Sequence, residues 1–524
     1  MKEDLMGYIE GTHRGQTTFW ALEDMVDGQS MVRVIDRFIE VLDLRKLGFD
    51  RTEPKGTGRP GYSADVLAKL LVYGYENGIR SSRKLERECR RNVEVMWLVQ
   101  NRIPDHKTIA EFRKQNIRPL QKLFKEFTGL CRSWELIGGE CFAVDGTKIK
   151  ASNNKKNNFS KKKLEDRIAR IDEKIAEWFE LANKEDSLED ESTELPQGLL
   201  EFLEGGELHA ECPENESNEL PKELLKLLER RELYAECLEE IEISGVGEVS
   251  LVDPDARLMG NSKNGVDVAF NVQSTVDAKH HVIADFDVSL NPSDQGQLDN
   301  MSKRLIRQGY RRFGVLGDKG YYNGTDLEKC EKRNIKAVVA RQAPSGPKGQ
   351  AKEFRIDQFT YDKKTDTYLC PAGKTLASKS KKESKRRKYF NRSACTNCPH
   401  VLECTGGEGR FRTITRGKHA DAYDRADQVF SDNRELYKKR QQIVEHPFAT
   451  IKHFMGGGHF LLRTRRKVRV EVALFCLGHN LKRALKVLGF QELMARLDAS
   501  LASPLCSFLR FLTSRGKNYS ISEA

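Results

Sequence analysis

The feature that most restricts the fold of this 524-residue chain is an alternation of strand and helix patterns between residues 141 and 340. Cys141-Phe-Ala-Val-Asp145-Gly-Thr-Lys-Ile-Lys is a β-type run with an acidic residue near its middle. Val266–Val276 and His281–Val288 are two further strand-like runs, and Asp277-Ala-Lys between them suits a hairpin turn. Gln297–Arg307 has helical spacing, and Phe313-Gly-Val-Leu-Gly is a short apolar strand that ends at Asp318. Thr325–Arg333 suits a helix with a Thr N-cap, and Ile335-Lys-Ala-Val-Val-Ala a last strand. The order β, β, β, α, β, α, β predicts an α/β fold, a mixed sheet flanked by helices.

Residues 1–135 read as all-α. Ser63 precedes the apolar-periodic Val66, Leu67, Leu70 and Leu71, while Leu85, Cys89 and Val93 extend an i, i+4 pattern through the basic stretch Arg80–Arg91. Thr108 with Glu111 reads as a capping box for a helix through Phe112 toward Phe127. Short helices with interleaved Arg and Lys fit a helix-turn-helix-like DNA-binding module; a helical domain that only packs or dimerises is the alternative. Two insertions interrupt the α/β pattern. The first, 155–250, predicts helices at Leu164, Ile168, Ile171 and Ile175 and at Leu224–Leu238, around a flexible middle at Asp186–Asn218. The second, 341–430, carries four cysteines and the basic run Lys379–Lys388. Arg434–Lys452 and Val468–Leu488 read as helices, so the expected α/β core comprises 136–154, 251–340 and 431–490, followed by a tail over 491–524.

Charge narrows the partners. Residues 171–250 hold 25 Asp and Glu against 6 Lys and Arg, so a chain of net charge +11 carries about +30 outside them. Such an excess points to a polyanion, of which nucleic acid is the usual one, with a solvated surface as the plainer reading. The runs Lys379–Lys388 and Arg463–Arg469 suit phosphate contacts. No run of about 18 apolar residues predicts a membrane span, and no secretion signal opens the chain, so a cytoplasmic location is expected. Cys370, Cys395, Cys398 and Cys404, with His400 as a substitute ligand, make either a structural Zn²⁺ site or plain reduced thiols.

Three acids stand out by position. Adjacent first and fourth strands of the sheet would set Asp145 beside Asp318, and a helix crossing that edge could bring Glu445 to them. Three converging carboxylates need cations, and hard oxygen ligands suit two Mg²⁺ or Mn²⁺ ions about 4 Å apart, an arrangement that serves in-line displacement at phosphorus. Singly, each has a plainer reading: a turn residue, a cap, a solvated helix acid.

At these residues the chain resembles the DDE transposases of bacterial insertion sequences. The matching segments are Val144-Asp145-Gly-Thr-Lys-Ile-Lys-Ala, Val252-Asp253-Pro-Asp-Ala-Arg, Asn271-Val-Gln, Asp294-Gln-Gly-Gln, Gly317-Asp318-Lys-Gly-Tyr321 and Val444-Glu445-His-Pro-Phe448. The resemblance implies an RNase H-like catalytic fold and a metal site of Asp145, Asp318 and Glu445. It further implies binding to the terminal inverted repeats and target site of double-stranded DNA, strand cleavage and transfer, and a homodimer or higher oligomer on DNA. Tyr437, Arg440, Glu445 and Lys452 nearly match the family's Tyr, Arg, Glu, Lys signature, but four residues separate Arg440 from Glu445 where three are usual. Tyr437, Arg440, Lys452 and Lys319 are the expected DNA contacts, and Pro447 implies a helix start or kink beside Glu445. Two rival readings remain: a DNA-binding regulator that kept the fold without the chemistry, and a nuclease of the same fold that does not join strands.

Overall fold

A computed structural model describes residues 15–17, 19–53, 61–186, 222–245, 247–261, 265–341, 346–379, 386–407 and 411–502. The chain divides into two compact units, one of residues 1–150 with 270–524, the other of residues 151–269. Among the described residues the strands are β1 (Cys141–Lys150), β2 (Asn158–Ser160), β3 (Glu248–Ser250), β4 (Arg257–Asn261), β5 (Gly265–Asp277), β6 (Ile283–Ser289), β7 (Gly314–Gly317) and β8 (Lys336–Val339). They continue with β9 (Thr360–Asp362), β10 (Thr367–Leu369), β11 (Thr375–Ser378), β12 (Arg386–Phe390) and β13 (Thr413–Gly417).

In the first unit β1 is flanked by β5 and β7, with β8 beyond β7 and β6 paired to β5. The β1–β7 and β7–β8 ladders are parallel and the β5–β6 hairpin is antiparallel. Parallel strands inside a sheet bury both faces, which is why Phe142, Ala143 and Val144 of β1 are all buried. The two helices between these strands are Gln297–Arg307 and Gly324–Lys332. The second is capped by Asn323, whose Oδ1 accepts from the backbone of Thr325 and Asp326, rather than by Thr325 as the sequence suggested.

The helix Arg465–Leu488 organises the rest of this unit. It is buried along most of its length and packs on β6 and on the helices Ala64–Glu76 and Ile117–Ser133. Asn480 donates to and accepts from the backbone of Ile283, 2.9 Å each way, satisfying the end of β6. Arg80, buried, meets the fully buried Glu471 at 3.4 Å, and Glu471 also accepts from the amides of Leu461 and Leu462. The N-terminal helices differ from the sequence reading at one place. Asp105, not Thr108, caps His106–Gln115, and Asn116 separates that helix from Ile117–Ser133. The single helix expected through Phe112 to Phe127 is therefore two, because the Asn116 side chain bonds the Phe112 carbonyl and the Asp50 amide.

Residues 346–417 of the same unit form a small antiparallel sheet, β13-β12-β11-β10-β9, around Phe359, Tyr368, Leu376, Tyr389 and Ile414. In the second unit the helices Lys161–Asp186 and Lys222–Ser244 pack through Leu164, Ile171, Ile175, Leu224 and Leu228, beside the β2–β3 ladder. There β4 pairs with residues 265–269 of β5. Most of the expected flexible middle, from residue 187 on, lies outside the described residues, as do 380–385 of the basic run and the tail from 503. Among the described residues no helix is long and apolar enough to cross a membrane.

Candidate active site

The parallel register of β1 on β7 pairs Cys141 with Gly314, Phe142 with Val315 and Ala143 with Leu316. Carried two residues further, the same register sets Asp145 opposite Asp318. Asp145 is half-buried at the point where β1 turns from apolar to polar sequence. Asp318 follows β7 directly and caps the turn Lys319–Tyr321, its Oδ1 accepting from the Gly320 amide at 2.7 Å.

A third carboxylate lies against this pair, and it is Asp294 rather than Glu445. A methyl group built on Gly146 would stand 2.5 Å from Asp294 Oδ1, and one built on Gly320 would stand 2.9 Å from Asp318 Oδ1 and 3.5 Å from Asp294 Oδ2. Asp294 is held by Asn271 Nδ2 at 2.9 Å and Gln273 Nε2 at 2.7 Å, both side chains of buried residues on β5. Tyr321, fully buried, donates to Gln273 Oε1 at 2.5 Å. Buried amides require partners, and this strand spends them on one carboxylate.

The negative charge is concentrated enough to alter titration. Burial, with Asp318 and Asp294 adding to it and Arg440 opposing, pushes the Asp145 carboxyl up to about 6. Burial and the charges of Asp294, Asp145 and Asp318 hold the Tyr321 hydroxyl far above its ordinary range, so it remains a donor. Arg440 Nη1 stands 3.6 Å from Asp145 Oδ1 and has no hydrogen-bond acceptor among the described residues. Tyr437, one turn earlier, bonds Arg440, and burial raises its hydroxyl.

Glu445 is placed differently. It lies on the helix Arg440–Ala449, is exposed, and accepts from Gln441 Nε2 at 2.8 Å. Helical phase explains this. Five residues from Arg440 amount to about 140° of rotation at about 100° per residue, so Glu445 and Arg440 point to different sides. The buried Val444, at i+4 from Arg440, occupies the inward position instead. Pro447 lies inside the helix rather than at its start, and a π-helical turn follows at Thr450–Phe454. The wide turn absorbs one residue, so Lys452 comes within about 20° of Arg440 instead of about 120°. Lys452 accordingly donates to Thr147 Oγ1, two residues along β1 from Asp145 and on the same face. Lys319 is exposed beside Asp318.

Among the described residues no three His, Cys, Asp or Glu side chains are gathered to hold a metal ion as they stand. The donor chemistry nevertheless fits a divalent cation: adjacent oxygen ligands, half-buried, share one guanidinium as their near counter-charge. The four cysteines of the small sheet lie elsewhere in the unit. Burial pushes the Cys404 thiol up to about 11, with Arg412 opposing and Cys395, Cys370 and Cys398 adding, so the four thiols are close neighbours. His400 is exposed, pairs with Glu403 and lies tilted against the Phe354 ring. Within the Arg463–Arg469 run, Arg463 and Arg466 are exposed, while two other arginines meet a carboxylate of the protein itself. Arg465 and Arg469 are drawn, with Arg304, onto Asp287, and although burial alone would raise that carboxyl, Asn300 and the three arginines hold it below its usual range.

Residues 20–115 match the family model described as Transposase domain (DUF772), and residues 369–485 match that of the Transposase DDE domain. The two matches indicate an insertion-sequence DDE transposase. No curated protein and no solved structure matches the chain. The second match covers Tyr437, Arg440, Glu445 and Lys452 together with the four cysteines, and it begins beyond Asp145 and Asp318. Sequence reasoning quoted the segments around Asn271, Gln273, Asp294 and Tyr321 but gave those four residues no role. Asp294 sits in a polar turn where periodicity carries no information, and only its tertiary partners mark it out.

Proposed function

We propose that this transposase binds the terminal inverted repeats of its element and, at the Asp145–Asp318 site, cuts the DNA and joins the freed 3′ ends to a target. The carrying observation is the parallel β1–β7 register, which brings two acids from distant sequence positions to one sheet edge beside Arg440. The strand order, a β5–β6 hairpin next to β1 with β7 and β8 parallel on the other side, supports reading the sheet as RNase H-like. Asp145 and Asp318 would hold two Mg²⁺ or Mn²⁺ ions, with Glu445 as third ligand by resemblance and Asp294 as a neighbour by position. Bound divalent ions supply Lewis-acid activation of the attacking oxygen and stabilise the departing one.

The protein's own part is to position and neutralise. Arg440 and Lys452 present cations on one helix face toward β1, where a scissile phosphate would lie against the aspartates. The Tyr321–Gln273–Asp294 chain fixes the floor of the site, so the carboxylates need not reorganise as charge develops. The N-terminal helices are the proposed end-DNA contacts, and two ends imply at least a dimer.

Wild type should nick DNA carrying the gene's own flanking ends in a Mg²⁺-dependent manner, while Asp318→Asn binds those ends without nicking. Nicking by Asp318→Asn would remove Asp318 from the site. The exposed position of Glu445 favours one second reading, a regulator without chemistry, and end binding without nicking by either protein would select it.

A further inference from the structure

The cysteines of the small antiparallel sheet are the motif that strand cleavage leaves unused. Cys370 ends β10, in a turn where the Lys374 amide donates to Cys370 Sγ at 3.2 Å and Gly373 takes φ +72°. Cys395 closes the short helix Arg392–Thr396, Cys398 follows in the next turn, and Cys404 lies on the helix Val401–Thr405. All four are half-buried and line one cavity of about 30 Å³, walled otherwise by apolar groups that include Phe354, Phe359 and Leu376.

That volume would admit a water, but a water needs two to four polar partners, and this wall gives it almost none. Soft sulfur donors around an apolar hollow suit a closed-shell metal instead. Arg412 lines the same hollow with its Nε buried and, among the described residues, without an acceptor, and its guanidinium lies over the Phe359 ring. The guanidinium so placed would face the negative charge of an anionic occupant. The fold supplies a reason as well. Among the described residues the sheet's core cluster has five buried side chains, a small core that a metal cross-link would reinforce.

We propose that Cys370, Cys395, Cys398 and Cys404 bind one Zn²⁺ ion in a structural, four-thiolate site that ties the β10–β11 turn to the two short helices after β12. Binding is a ligand exchange without redox change. Four thiols lose four protons to solvent, the four thiolates bond the ion, and the resulting charge of −2 faces Arg412. The thiols are not gathered on one point as they stand, though each already lines the cavity, so binding would have to draw them together. The site is separate from the carboxylates, and its test is independent of DNA cleavage.

The full-length chain, purified without chelator, should contain about one equivalent of zinc by atomic emission. Cys395→Ser with Cys398→Ser should lower it at least fivefold, while Cys141→Ser, a thiol outside the cluster, should keep it. Because the double variant could fail to fold, wild type is also exchanged with Co²⁺, which should give the intense visible d–d bands and sulfur-to-metal charge transfer of a tetrahedral thiolate site. Less than about half an equivalent of zinc together with no such cobalt spectrum would overturn the proposal. So would zinc that survives the double cysteine change but disappears in Asp318→Asn, since the metal would then sit on the carboxylates.

Discussion

Gly146→Ala tests the packing of the carboxylate site without touching any acid. The backbone of Gly146 is not in the left-handed region, so alanine meets no intrinsic strain there and the whole cost is steric. The added methyl would stand 2.5 Å from Asp294 Oδ1, 3.1 Å from Asn271 Oδ1, and closer still to Gln273 Nε2. Ordinary contact begins near 3.4 Å, so Asp294 and Gln273 must each withdraw by about 1 Å. That withdrawal breaks the bonds from Gln273 and Asn271 to Asp294, now 2.7 and 2.9 Å. A hydrogen bond to a charged group contributes about 1.5–3 kcal/mol. Water can reach the half-exposed Asp294, which selects the low end, so two bonds give about 3 kcal/mol. Urea unfolding should therefore show a lower midpoint at unchanged slope, and Mg²⁺-dependent end cleavage should fall at least tenfold as the floor of the site shifts. A variant within about 0.5 kcal/mol of wild type and fully active would show that the Asn271–Gln273–Asp294 lattice has slack, and the argument for a rigid floor would fail.

Asp294→Asn, nearly isosteric, should keep the fold and end binding yet raise the Mg²⁺ concentration needed for half-maximal cleavage by about 10-fold or more; an unchanged Mg²⁺ dependence would leave Asp294 a purely structural acid. Burial lowers His479 from an ordinary 6.5 to about 4, its Nε2 donating to the His281 carbonyl at 3.2 Å. The unfolded chain takes up that proton first, so the folded state loses stability as pH falls from about 6.5 toward 4, by roughly 2 kcal/mol at pH 5. Replacing it by glutamine, which can still donate, should shrink the loss between pH 7.5 and pH 5 by that amount in urea titrations; parallel losses in the two proteins would refute the assignment.

The α/β alternation was legible where strands such as β1, β6, β7 and β8 begin or run as short apolar stretches bounded by polar or turn residues, whereas the polar β2, β3 and β4 gave no such pattern. The pairing of Asp145 with Asp318 was legible too, since it follows from strand adjacency alone. What lay beyond the sequence was phase and partnership. The separation of Arg440 from Glu445 is visible in the sequence, but its effect depends on where the helix absorbs the surplus residue, which the sequence does not mark. Asp294 was hidden for a related reason: its partners Asn271 and Gln273 sit over twenty residues upstream on β5, and buried amides in a strand carry no mark of what they bind. Charge counts likewise do not reveal that Asp287 lies beneath two arginines of the 463–469 run, Arg465 and Arg469.

The π-helical turn after Ala449 has a bearing on how a further acid could be delivered. A helix with one surplus residue stores it in a single wide loop of backbone, and that slack can be relocated by exchanging a few hydrogen bonds without unwinding the helix. While the slack sits at 450–454, Arg440 and Lys452 share a face and Glu445 looks outward. Lodged instead between Arg440 and Glu445, it would leave both cations in place and rotate Glu445 by about 100°, to within about 40° of Arg440. Glu445 would then turn toward Asp145, Asp318 and Asp294 while its two basic neighbours stayed still. Bringing a further acid to the site would thus need a change of bookmark within one helix rather than a longer-range movement.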